Sequence, residues 1–122
     1  MACDCKTTDS LLIEVGSGGN TVVLNVVVKS VCETVKTDAG NVCQLTYTVE
    51  NTKKSNAIVT GFNVGRSKST FTPPIAPGGV DTIVKSKGNG HCEKKKDGTV
   101  RYKRDAHAPE QEENDLEVCV LT

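Results

Sequence analysis

Two stretches of period-two patterning constrain this chain more than any other feature in it. From Thr21 to Val31, Val22, Leu24, Val26 and Val28 fall on one face while Asn25 and Lys29 fall on the other. From Cys43 to Glu50, Leu45, Tyr47 and Val49 alternate with Gln44, Thr46 and Thr48. A period of two is that of a strand with one face buried, and it is incompatible with a helix face, which repeats at about 3.6 residues. The apolar residues are mostly Val, Leu, Ile and Ala, with two Phe, two Tyr and no Trp. A core made from them is aliphatic and β-branched, and β-branched side chains pack well on a pleated surface.

The rest of the chain extends the pattern. Leu11–Val15 reads as a short strand, and Gly16-Ser17-Gly18-Gly19-Asn20 is a turn signal before the first long strand. A second turn is expected around Thr37–Asn41, and a polar turn over Asn51–Asn56. Ala57–Val64 then places Ile58, Phe62 and Val64 on one side. Pro73-Pro74 and Pro77-Gly78-Gly79 bracket a connection, because proline donates no ladder hydrogen bond. Val80–Lys85, Thr99–Lys103 and Leu116–Leu121 complete the set. These elements predict an all-β chain, a jelly-roll or Greek-key β-sandwich of about eight antiparallel strands with a flexible N-terminal tail. At 122 residues it holds one core, so residues 1–10 form the Cys-bearing connector and 11–122 the sandwich domain.

Fifteen basic residues balance fifteen acidic ones, which removes the electrostatic footprint of a nucleic-acid binder or a membrane-surface binder. The charge is nevertheless segregated. Lys87, Lys94, Lys95, Lys96, Arg101, Lys103 and Arg104 precede an acidic stretch from Asp105 to Glu117. The segment 86–115 is read as a solvated polar excursion, or as two complementary patches that orient neighbouring copies. No stretch approaches the length of a membrane span, and the first residues lack the basic and apolar regions of a secretory signal.

Six cysteines carry the functional question. Cys3 and Cys5 lie one residue apart in a polar segment, where a packing role is weak and a disulfide between the two is strained. Cys32 and Cys43 flank one turn with matching inward parity. A register pairing them sets Val28 opposite Tyr47 and Val26 opposite Val49, and leaves open whether the two bond or simply fill the core. Cys119 alternates with Leu116, Val118 and Val120, so it is expected to point outward from the last strand. Cys92 sits beside His91 with no evident partner. A zinc site from Cys3, Cys5, His91 and Cys92 is the alternative use of these sulfurs, though neither half has the spacing typical of one. His91 and His107 read as surface histidines, and no phosphate loop, nucleophile elbow or metalloprotease motif is present.

Taken together, Met1-Ala2-Cys3-Asp4-Cys5, the turn Ile75-Ala76-Pro77-Gly78-Gly79-Val80 and Glu117-Val118-Cys119-Val120 give the chain a layout that resembles the subunits of the endospore appendages of Bacillus and related spore formers. In that family a jelly-roll subunit without a signal peptide carries a Cys-bearing connector that is disulfide-bonded in a neighbouring subunit. The resemblance implies that Cys3 and Cys5 are connector thiols, that Cys119 is one acceptor and that Cys32 or Cys43 is the other, all in intersubunit disulfides. Cys92 has no counterpart in the pattern. It further implies a spore-surface or extracellular location, with bonds formed once the mother cell lyses. The expected role is thus a non-enzymatic, cofactor-free structural subunit that binds copies of itself in rings or a helical polymer, and binds neither nucleic acid nor membrane. Edge-strand association and connector docking build the fibre. The rival from another class is a small sandwich that binds a glycan or a protein ligand and carries an internal disulfide.

Overall fold

In the computed structural model, residues 3–16 and 21–122 are described; Met1, Ala2 and most of the expected Gly16–Asn20 turn lie outside them. The all-β expectation holds. Eight strands run as β1 (Cys5–Val15), β2 (Val22–Thr37), β3 (Gly40–Asn51), β4 (Ile58–Val64), β5 (Ser67–Ile75), β6 (Gly79–Gly88), β7 (Cys92–Lys103) and β8 (Gln111–Leu121), with no helix among the described residues. They form two four-stranded antiparallel sheets ordered β1-β2-β3-β6 and β5-β4-β7-β8. The chain leaves β3 for the β4–β5 hairpin in the opposite sheet and returns as β6 beside β3, a Greek-key excursion folded over two layers. The last strand lies at the edge of the sheet opposite β1 rather than beside β1.

The alternation that defines β2 and β3 delivers the core. Leu24, Val26, Val28, Leu45, Tyr47 and Val49 from one sheet meet Val59, Phe62, Val100, Leu116 and Val118 from the other, all buried. Each large aliphatic or aromatic side chain so buried contributes about 1.5–3 kcal/mol. Tyr47 packs edge-on to Phe62 with ring centroids 5.5 Å apart, and its hydroxyl donates to the carbonyl oxygen of Cys119 at 2.5 Å. Burial pushes its phenol up to about 12.

Four local expectations are corrected. First, residues 5–10 are not a tail but the start of β1, where Cys5 and Thr7 face inward and are buried. The small polar residues that disguise this segment alternate as regularly as apolar ones do, with Lys6, Thr8 and Ser10 exposed. Second, the β2–β3 hairpin closes on a two-residue turn at Asp38 and Ala39, with Gly40 at φ 107°. The pairing is therefore Cys32 with Leu45, Val28 with Val49 and Thr34 with Cys43, two residues from the expected register. A slip of two keeps every side chain on its face, so parity alone cannot detect it.

Third, the ladders around β4 shift between Val59 and Gly61, which brings both Val59 and Phe62 into the core and leaves Ile58 half-buried. Thr60, the extra residue, donates its hydroxyl to Glu110 at 2.6 Å. Over the same bulge the Arg101 guanidinium lies across Gly61, bonding Ser69 O at 2.6 Å, Thr70 Oγ1 at 2.9 Å and Asn63 Oδ1 at 3.0 Å. A Cβ on Gly61 would collide with that guanidinium. Fourth, the 86–115 segment is mostly strand: β7 begins at Cys92, and the irregular part is the short connection from Arg104 to Glu110.

At the end of the sandwich where β1 and β7 finish and β2 and β8 begin, side-chain amides and hydroxyls fasten the connections. Asn51 is fully buried and donates from Nδ2 to the carbonyls of Ala57 and Ile75, both at 2.9 Å. Its main-chain carbonyl accepts from Gly78 N, while its side-chain Oδ1 is buried without a partner. Ser55 Oγ accepts from Asn25 N at 2.8 Å, and Asn56 Oδ1 from Val23 N at 2.8 Å.

Candidate functional site

The opposite end collects every cysteine. The strand ends bearing Cys5, Cys32, Cys43, Cys92 and Cys119 converge there because antiparallel ladders bring the start of β1, β3 and β7 beside the end of β2 and β8. Three disulfides close within the single chain: Cys3–Cys43, Cys5–Cys119 and Cys32–Cys92, with Cα separations of 5.3, 6.1 and 6.6 Å. These lie in the range a disulfide requires. Cys5 and Cys32 face each other across the β1–β2 ladder, yet each crosses the sandwich, Cys5 to β8 and Cys32 to β7. Cys3 instead spans its own sheet to reach β3.

The site residues anticipated from sequence are therefore brought together: Cys3 and Cys5 meet Cys43 and Cys119, positions the resemblance implies as acceptors, but within one chain rather than between subunits. Cys32 and Cys43 do not bond to each other. Cys92, which lacked a partner, takes Cys32. Cys119 is not outward but fully buried, bonded across the sandwich to Cys5, on a strand whose ladder with β7 shifts register. The zinc alternative loses its ligands, since Cys3, Cys5 and Cys92 are consumed in three separate bonds. Among the described residues no other group of histidine, cysteine and carboxylate side chains is placed to hold a metal. His91 is exposed at the start of β7, and His107 is exposed in the β7–β8 connection, where its backbone N–H donates to Asp105 Oδ1.

Two features went unseen in the sequence. Asp9, on the inward register of β1, accepts the backbone N–H of Glu117 at 2.7 Å and so tethers β1 to β8 beyond the disulfide. A carboxylate at an inward strand position was the available signal. Beside it, the hydroxyls of Thr7 and Ser30, opposite each other across the β1–β2 ladder, are buried without a hydrogen-bond partner. The first half of β1 thus meets the sandwich through sulfur, backbone pairing and one carboxylate, and its apolar contacts begin only at Leu11 and Ile13.

These features define a class: an all-β sandwich whose two sheets are stapled by disulfides, the mark of a chain folded under oxidising conditions. No helix among the described residues is long and apolar enough to cross a membrane. Comparison of the chain with family models, with curated proteins and with solved structures finds no match.

Proposed function

We propose that this protein is a non-catalytic structural subunit that polymerises with copies of itself, its N-terminal strand docking on a neighbour and becoming fixed there by disulfides. The observation that carries this reading is the pair of bonds made by the N-terminal segment. Cys3 and Cys5 fasten it to β3 and β8, elements 40 and 114 residues away in the chain. Few apolar contacts hold the segment before Leu11, and it joins β2 through a glycine-rich sequence. If β1 crosses to a neighbouring copy, the same edge pairing, the same Asp9 tether and the same two bonds form between chains without new contacts having to evolve. Exchange run head to tail gives an open polymer, and its covalent closure resists heat and denaturant until reduced. A spore-surface fibre is the setting that the sequence resemblance adds.

The test is oxidative assembly at high protein concentration, followed by electrophoresis with and without reductant and by negative-stain microscopy. A ladder of covalent multimers that collapses on reduction, and that is absent from the Cys3→Ser, Cys5→Ser chain, is expected. A species that stays monomeric under every oxidising condition overturns the reading.

One observation favours the rival binding module. A cleft of about 640 Å³ opens at the hydrogen-bonded end, lined by Val15, Val22, Tyr102, Arg104, His107 and Pro109 among others. Its apolar walls with a few convergent polar groups have the size of a small-ligand site. Under that reading the monomer gains thermal stability in a screen of glycans and peptides, and Tyr102→Ala abolishes the gain.

A further inference from the structure

The six cysteines share one end of the sandwich and all are buried, but they differ in whether they border a cleft and in what holds them. A surface cleft of about 430 Å³ opens at this end, and of the cysteines it is lined by Cys3 and Cys32, with Lys6, Val31 and Glu33 beside them. Cys32 is held on both flanks by ladder pairing, to Cys5 on β1 and to Leu45 on β3. Cys3 is not, since it precedes β1 and belongs to no strand. Moving Cys3 opens no ladder hydrogen bond, and local opening is cheapest where few such bonds break. At the far end of its bond, Cys43 is fully buried with Sγ 3.2 Å from the carbonyl oxygen of Gly90. A disulfide sulfur has no proton to give that oxygen. A thiol does, so Cys43 has an acceptor already in place for its reduced form, and its release leaves no orphaned donor.

We infer that Cys3–Cys43 is the exchangeable bond of this protein, opened from the cleft by the thiolate of another molecule. The incoming sulfur forms a bond to Cys3 Sγ, and the Cys3–Cys43 bond breaks with its electron pair leaving on Cys43 Sγ. Cys43 then takes up a proton equal to the one the attacking thiol gave up. One thiol is consumed and one appears, so there is no net oxidation and no further reagent is needed. Cys5–Cys119 meanwhile keeps β1 on β8. The inference rests on the proposed role of the N-terminal segment as a covalent lock, and adds the order in which that lock opens: the outer bond exchanges first and the inner one holds the strand in register.

The experiment uses the folded, fully oxidised chain and reduced glutathione, with an acid quench, alkylation after denaturation and peptide mass mapping. Glutathione is expected on Cys3, with a new thiol on Cys43, roughly tenfold or more ahead of reaction at either other bond. The Cys3→Ser, Cys43→Ser chain, checked for an unchanged β-type circular dichroism spectrum, is expected to lose this fast phase. Equal rates at the three bonds, first attack at Cys32 or Cys5, or an untreated chain in which Cys3 is bonded elsewhere would each overturn the inference. Because the assay needs no polymer, a chain that exchanges at Cys3 yet never multimerises sinks the proposed assembly and leaves the exchangeable bond standing.

Discussion

The two ends of the sandwich do the same job with different chemistry. At one end three disulfides tie sheet to sheet and strand to strand across an interior that includes Thr7 and Ser30 with unpaired hydroxyls. At the other, Asn51, Ser55 and Asn56 fasten the connections with side-chain hydrogen bonds, leaving the buried Oδ1 of Asn51 without a partner. Stability at the first end is conditional on redox state. At the second it is unconditional but depends on each amide finding its carbonyl. A chain built this way can be loosened at one end without being unfolded at the other.

The largest expected effect tests that asymmetry directly. Replacing Cys5 and Cys119 by Ser removes a bond that closes a 114-residue separation and should lower unfolding free energy by about 4–5 kcal/mol in chemical denaturation. A loss below about 1 kcal/mol would show that hydrogen bonds and core, not sulfur, hold β1 to β8. At the opposite end, Asn51→Ala strands the Ala57 and Ile75 carbonyls and opens a cavity, with an expected cost of about 2–4 kcal/mol in urea whether or not reductant is present.

Between the ends, Tyr47 gives a pH signature. Its phenol is neutral in the fold up to about 12 but ionises near 10 once unfolded, so stability is complete below pH 10 and falls as the pH rises toward 12. The loss, on the order of 2 kcal/mol, should appear as a declining urea midpoint and vanish in Tyr47→Phe. Thr7→Val carries the opposite sign. Removing a buried hydroxyl that has no partner should raise the thermal midpoint, by about 1 kcal/mol in equivalent free energy. The smallest effect is at Glu110. The Thr60 hydroxyl, and behind it Arg101, hold its carboxyl below the ordinary carboxylate range. Its contribution is therefore present above the unfolded value and lost as the pH falls through the folded one, an acid dependence expected to disappear in Glu110→Gln.

What the sequence made legible follows from parity. Alternation in β2 and β3 named the inward residues correctly because one face of these strands is fully buried and the other only partly covered. Parity is blind to shifts of two, which is why the Cys32 and Cys43 register was misplaced. It fails at a bulge, where Val59 replaced Ile58. It also fails in β8, whose ladder with β7 shifts register, and where Cys119, read as exposed, is buried between the sheets. Strand β1 was missed for a different reason: its first half is polar on both faces, and pattern reading takes a polar segment for a loop. The convergence of the six cysteines was beyond local reasoning, because it depends on which strands lie side by side after three crossings between sheets.

One feature of β6 bears on how such a chain behaves when concentrated. Asp81, Lys85 and Lys87 occupy the register positions that face the interior, opposite Val49, Leu45 and Cys43, and Lys85 turns to the Ser67 hydroxyl on β5. A strand arriving from outside to extend this sheet would have to bury those charges or push them aside. The open border is thereby made a poor template for amyloid-like stacking, even though Val80 and Val84 on its other face are exposed and aggregation-prone by composition. Crowded copies are left to meet through contacts of defined geometry instead of stacking indiscriminately into precipitate.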